Sequence, residues 1–268
     1  MPSKEVQGGI VLIVERQNWG IADLGRIAYE EAWALQTRLV EARADGSLPH
    51  DVILMLEHPP VFTLGKRGGR ESLLLPEERL RRLGIAVVQV ERGGNITYHG
   101  PGQLVLYPIL HLPGLGIGVV DLVGRLEEVM IRTCAGRGVQ AERNPLNRGV
   151  WVGLKKIGAI GIAVRRGVSF HGMALNVDPD LTPFSWIQPC GLRGVGVTSI
   201  AAEAATPVDS AEVKWEVRAH IEAVFQIGLA AVDRQELQRF RGPDKKIPCA
   251  NGLCAPTACP ARVHEETP

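Results

Sequence analysis

The chain has 268 residues, 45% of them apolar and 5% aromatic, and 30 Lys and Arg against 29 Asp and Glu leave a net charge of +1. That length suits one large domain or two small ones around a well-buried core. The balanced charge and scarce aromatics argue against binding nucleic acid by phosphate attraction or base stacking.

No apolar run approaches the roughly 18 residues that span a bilayer. The N-terminus lacks the basic and apolar regions of a signal peptide. The expected compartment is therefore the cytoplasm, with no membrane partner.

The predicted elements follow in chain order. Residues 10–15 alternate weakly and read as a strand. Residues 21–40 carry Leu24, Ile27, Ala28, Leu35 and Leu39 at helical spacing. Residues 52–56 read as a buried strand, broken by His58, Pro59 and Pro60, where His58 reads as a loop residue. A short helix is expected over 76–84, with Pro near its start and Gly past its end. Strands follow over 86–91 and 104–110. Residues 119–135 place Val119, Leu122, Val123, Leu126, Val129, Met130 and Thr133 on one helical face, with Cys134 inside the pattern as a small buried residue.

Residues 150–152 and 156–164 read as strands. Arg165, Arg166 and Gly167 form a turn, and 168–177 pairs back as a hairpin. Asp209 with Glu212 resembles a capping box opening a helix through Phe225, whose buried stripe is Val213, Val217, Ile221 and Val224. Hairpins outnumber βαβ alternation, so the expected class is α+β, a mixed sheet with flanking helices.

Residues 1–241 form the expected catalytic domain. Residues 242–268 are rich in Pro, Gly, Ala and charge and read as a flexible tail. Cys249, Cys254 and Cys259 recur there every five residues, and only His264 could complete a zinc set; that spacing does not suit a closed site, and no metal is expected. Five cysteines without an export signal do not make a disulfide framework.

One stretch is dense in backbone exceptions: Arg92, Gly93, Gly94, Asn95, Ile96, Thr97, Tyr98, His99, then Gly100, Pro101, Gly102 and Gln103. Glycines let the backbone take unusual dihedrals or lie close to a ligand, and Pro101 fixes one dihedral more. The stretch suits a pocket whose wall is backbone; a tight turn with incidental polar residues is the alternative. Later come Lys155 and Lys156 before a Gly-containing apolar strand, then Phe170 to Val177, then Gln188, Pro189, Cys190 and Gly191. Cys190 lies in a loop, a poor place for a structural thiol. From the residues alone, Lys156 is open to reading as a pocket cation or as a solvated strand-end lysine.

Together, in this order, these segments resemble the octanoyltransferases of lipoate biosynthesis, members of the biotin/lipoate protein ligase-like superfamily. The resemblance runs from about Ile10 to about Phe225. It implies an acyltransferase that moves an octanoyl group from octanoyl-acyl carrier protein, through a cysteine thioester, to a lysine of lipoyl domains. The implied acceptors are the lipoyl domains of 2-oxoacid dehydrogenase E2 subunits and of the glycine cleavage H protein. No cofactor is implied.

Cys190 matches the family's acyl-thioester position, and Lys156 matches the lysine that lowers its pKa. Thiolate is the attacking form, and a free thiol ionises only near pH 8.5. Substrate contacts are implied for Arg92 to His99, for Ala159, Ile160 and Gly161, and for Gly172, Met173 and Ala174. Gly161 and Gly172 are expected to let the acyl carbonyl approach main-chain N–H groups, or else to allow close strand packing. His99 is placed in the pocket rather than in the base role. His171 is the second candidate pocket histidine; strand alternation puts it on the face opposite Phe170 and Gly172, so at most one face is expected to serve the ligand.

An ATP-using lipoate or biotin ligase of the same fold is the first rival, and a non-catalytic acyl- or carrier-binding module the second. Neither needs both Cys190 and Lys156.

Overall fold

The computed structural model describes residues 18–145, 147–188 and 195–240. The expected strand over 10–15, Cys190 and the 242–268 segment lie outside the described residues.

The chain opens with β1 (Asn18–Arg26) and α1 (Tyr29–Asp45). The helix expected from residue 21 thus starts eight residues later, and 21–26 is strand. β1 is buried along Trp19 to Ala22, so its apolar run has no strand alternation to read. Ala28, at the helix start, offers no side-chain cap to mark it. Next come β2 (Val52–Glu57) and β3 (Val61–Leu64), the latter absent from the sequence expectations. α2 (Glu77–Arg82), β4 (Ala86–Gln89), β5 (Ile96–His99) and β6 (Gln103–Ile109) follow.

The short α3 (Leu112–Leu115) precedes the long α4 (Val119–Gly136), then β7 (Glu142–Asn144), β8 (Asn147–Val152), β9 (Lys155–Arg165) and β10 (Val168–Asn176). The chain continues through β11 (Gly196–Val197), α5 (Ile200–Glu203), α6 (Ser210–Phe225), β12 (Gly228–Ala231) and α7 (Arg234–Gln238). Asp209 caps α6 as expected, its carboxylate accepting from the Ala211 N–H at 2.8 Å.

Among the described residues the main sheet runs β12-β1-β2-β6-β10-β9-β8-β7, and β11 adds to β9. β12, β1 and β2 are parallel, while β2, β6, β10, β9, β8 and β7 are antiparallel in turn. Both faces are covered. On β2, Ile53 and Met55 join the core under α4 and α6, whereas Val52, Leu54 and Leu56 join the core under α1. On β6, Leu104 and Leu106 take the first face and Val105, Tyr107 and Ile109 the second. Two-sided burial explains why these strands read as continuous apolar runs.

Each fully buried large side chain contributes about 1.5–3 kcal/mol through area removed from water. Cys134 on α4 is fully buried too, and burial pushes its thiol up to about 12. Arg137 ties the end of α4 to α6 through Glu212 at 2.8 Å and Glu216 at 3.0 Å. Among the described residues no helix is long and apolar enough to cross a membrane.

A second, three-stranded sheet of order β4-β3-β5 packs beside the main one. Its core holds Phe62, Leu64, Leu80, Val87, Ile96 and Tyr98. This small sheet carries the Arg92–His99 stretch toward β9 and β10.

Candidate active site

The two sheets enclose a cavity of about 890 Å³. Its walls come from the loop leading into β5, from β6, β9 and β10, and from the first turns of α4. Apolar lining is supplied by Val119, Val123, Ile157, Ile160, Ile162, Met173, Phe184, Ile187 and Val197. An apolar slot with a few placed polar groups is the usual form of a small-molecule site.

Arg92 anchors the loop. It is 8% exposed. Its Nη2 donates to the Thr63 carbonyl at 2.6 Å and to Thr63 Oγ1 at 2.8 Å, its Nε to Oγ1 at 3.2 Å, and its Nη1 to the Gly93 carbonyl at 3.0 Å. The Gly93 N–H donates to the Ile162 carbonyl of β9 at 3.0 Å, so the loop is stitched to the main sheet.

The space beside two strand glycines is already filled by protein. A Cβ on Gly161 would lie 2.9 Å from Arg92 Cδ and from the Gly93 carbonyl oxygen. One on Gly172 would collide with the Leu106 carbonyl oxygen and lie 2.6 Å from Pro108 Cδ. Both residues border the cavity, yet on the side a Cβ would occupy the glycines serve close strand packing rather than approach of a ligand.

Lys156 reaches the cavity from the start of β9. Its Nζ donates to Asn147 Oδ1 at 2.8 Å and stands 5.1 Å from the centre of the Trp151 ring. Lys155 points the other way and pairs with Glu203 at 3.0 Å, exposed. β11 pairs with β9 here, Val197 opposite Lys156, and the Thr198 N–H donates to the Lys156 carbonyl at 3.0 Å. On the other side of residues 189–194, Ile187 bridges Leu73 and the Gln188 N–H donates to the Ser72 carbonyl at 2.9 Å. Both Ile187 and Val197 line the cavity.

The far end of the cavity has a polar floor of Tyr29, His99, Gln103, Tyr107 and His171. The Gln103 amide nitrogen is committed to the Tyr98 carbonyl at 3.2 Å and Asn176 Oδ1 at 2.8 Å, which leaves its oxygen to accept from His99 Nδ1 at 2.6 Å. Behind the floor, His58 Nδ1 donates to the Ile27 carbonyl at 2.8 Å and Nε2 accepts from the Tyr107 hydroxyl at 2.8 Å. Burial pulls His58 down to about 4. It holds His99 well below the ordinary imidazole value, with the neighbouring His58 adding to the effect. His171 is lowered too, chiefly by burial, against an opposing pull from Glu91. Neutral imidazoles are therefore expected at pH 7.

The structure brings most of the sequence-selected residues together. Arg92, Gly93, Gly94, Asn95, Ile96, Thr97 and His99 line the cavity, as do Lys156, Ala159, Ile160, Gly161, Gly172, Met173 and Ala174. Tyr98 does not: its ring packs in the small-sheet core against Phe62 and Phe184. His171 lines the cavity together with Gly172, against the alternation argument. Its φ of +52° breaks the pleat, so successive side chains cease to oppose each other. His58 lies in the loop between β2 and β3, as expected, but its side chain is fully buried. Cys190 lies outside the described residues.

Sequence reasoning passed over Tyr29, Tyr107, Asn147 and Arg148, whose positions carry no motif signal. Among the described residues no group of three His, Cys, Asp or Glu could hold a metal ion.

The model of the lipoyl protein ligase A/B catalytic domain matches residues 28–222. An octanoyltransferase of Desulfotalea psychrophila is 54% identical over 207 residues, covering 76% of this chain and 93% of that protein. Among solved structures, a lipoate-protein ligase A bound with ATP superposes with a TM-score of 0.65 at 15% identity, covering 84% of this chain and 92% of the other. A bi-partite lipoate protein ligase from Thermoplasma acidophilum, described with its E2 lipoyl domain, gives 0.66 at 15% identity, covering 84% and 90%. The last two likenesses speak for the fold; the first two show that the chain belongs to the lipoyl protein ligase A/B catalytic-domain family and, within it, to the octanoyltransferases.

Proposed function

We propose that this chain is a cytoplasmic acyltransferase of lipoate biosynthesis that moves an octanoyl group from octanoyl-acyl carrier protein to a lipoyl-domain lysine. The acceptors are the lipoyl domains of 2-oxoacid dehydrogenase E2 subunits and of the glycine cleavage H protein. In the first half-reaction the Cys190 thiolate attacks the acyl carbonyl carbon. A carbon–sulfur bond forms to Cys190, and the carrier thiolate leaves and takes up a proton. In the second, the acceptor amine attacks the Cys190 thioester, the amide forms, and Cys190 departs as thiolate.

Lys156 stabilises that thiolate and relays the protons. Arg92 to His99, Ala159 to Gly161 and Gly172 to Ala174 wall the acyl slot. The observation that carries this reading is Lys156 lining the same cavity as Ile187 and Val197, the residues that precede and follow the Cys190 segment in the chain.

The 54% likeness to an octanoyltransferase favours transfer over ATP-dependent ligation, since the likeness to ligases is one of fold at 15% identity. The test is to mix octanoyl-carrier, apo-lipoyl domain and the protein without ATP or magnesium. One octanoyl mass should appear on the acceptor lysine. A requirement for ATP with free octanoate would move the assignment to the ligases.

A further inference from the structure

We propose that Asn147 is a positioning residue for Lys156, holding its ammonium at the cavity with a neutral amide oxygen. The inference rests on the reading of Lys156 given above.

Three contacts among the described residues carry the inference. Lys156 Nζ donates to Asn147 Oδ1 at 2.8 Å. The same Nζ sits over the Trp151 ring at 5.1 Å, a cation–π distance. Trp151 Nε1 donates to the Asn147 carbonyl at 3.2 Å, so the ring that receives the ammonium also fixes the backbone of the residue that accepts from it. Trp151 is 2% exposed and cannot swing away.

The strand carrying Asn147 is itself anchored. Glu127 on α4, 1% exposed, accepts from the Gly149 N–H at 3.0 Å. Its second oxygen lies 3.4 Å from Arg143 Nε and 4.0 Å from Arg148 Nη1. The Lys156 side chain lies where a Cβ on residue 149 would sit, its Cε 2.8 Å from that point. The lysine stem is thus bedded on β8.

The choice of amide has a chemical consequence. A carboxylate at 2.8 Å would favour the ammonium and hinder proton release. An amide orients the same proton without that penalty. An alkyl side chain would remove the acceptor that fixes the direction of the ammonium over the Trp151 ring. Among the described residues, the charged groups on the surrounding elements are Glu127 on α4, Arg143 on β7, Arg148 on β8, and Lys155 with its partner Glu203 on α5. None of these changes in the substitutions below.

The experiment uses the full chain and two variants, Asn147→Asp and Asn147→Ala, with thermal melts to verify folding. Trace acetic anhydride labelling, read by peptide mass spectrometry from pH 7 to 11, measures Lys156 protonation against Lys155 as internal reference. Octanoyl transfer is measured over the same range. Asn147→Asp should displace the Lys156 labelling curve upward by about one pH unit or more and leave Lys155 unmoved. The transfer profile should move with it. Asn147→Ala should lower kcat roughly ten-fold at unchanged KM, the signature of a misplaced group rather than lost binding.

An unmoved Lys156 labelling curve in Asn147→Asp overturns the proposal, as does wild-type kcat in Asn147→Ala. A displaced labelling curve with an unmoved transfer profile upholds the Asn147 contact and overturns the acid–base role of Lys156.

Discussion

Lowering the pH from 7 to 5 should cost about 2 kcal/mol of folding stability through His58 alone. The ring is fully buried, and both its nitrogens are engaged as a neutral imidazole engages them, one donating and one accepting. Burial sets the direction, and the Ile27 carbonyl opposes it, leaving the group at about 4 against an ordinary 6.5. Between those values the unfolded chain holds a proton on His58 that the folded chain does not. Stability is therefore complete above pH 6.5 and is lost as the pH falls toward 4. The whole gap is worth about 3 kcal/mol, most of it already lost by pH 5. His99 and His171 are displaced in the same direction and deepen the loss.

The assay is urea denaturation between pH 5 and 8 for wild type and His58→Gln. Carboxylate contributions are common to both proteins and cancel in the comparison. The wild-type curve should fall more steeply below pH 6.5, by about 2 kcal/mol across the window. Parallel curves would refute the argument, and so would a His58 ring that titrates above pH 6 by NMR in the folded protein.

Three further outcomes are expected. Lys156→Ala should reduce the thiolate fraction of Cys190 at neutral pH roughly ten-fold or more, read as the pH profile of iodoacetamide alkylation, while Lys155→Ala should leave it unchanged. Gly172→Ala should destabilise the protein by about 1–3 kcal/mol, because its methyl meets the β6 backbone at Leu106 rather than open cavity; an unaltered melting temperature would contradict that packing. Thr63→Val should cost about 1–3 kcal/mol and raise KM, since it removes the hydroxyl that two Arg92 nitrogens share in a buried site.

Much of the frame was legible because particular residues carry local signals. The β9–β10 hairpin shows in the apolar strands on either side of Arg166 and Gly167, both at positive φ in the turn. α4 and α6 show in their stripes, and Asp209 marks where α6 begins. β1 was hidden because burial removes alternation and Ala28 supplies no cap. β3 was hidden by brevity, four residues between Pro60 and Gly65.

At the site, the choice of Lys156 over Lys155 followed from the family pattern, and the structure puts those two amines on opposite sides of β9. His171 is legible as a pocket histidine, but its place beside Gly172 is not, because a single left-handed residue undoes a period-two argument. The burial of His58 escaped because its partners, Ile27 and Tyr107, are 31 and 49 residues away. Asn147 likewise gains meaning only when β8 is laid beside β9. Contacts of that kind are made by the fold, and no local spacing announces them.

The central claim is that octanoate passes through Cys190. Incubating the protein with octanoyl-carrier alone, without acceptor or ATP, and weighing it intact tests this directly. The account predicts one added octanoyl mass, mapped to the peptide containing Cys190, removed by hydroxylamine, and missing in Cys190→Ser. Transfer to the lipoyl domain at the wild-type rate by Cys190→Ser would contradict it.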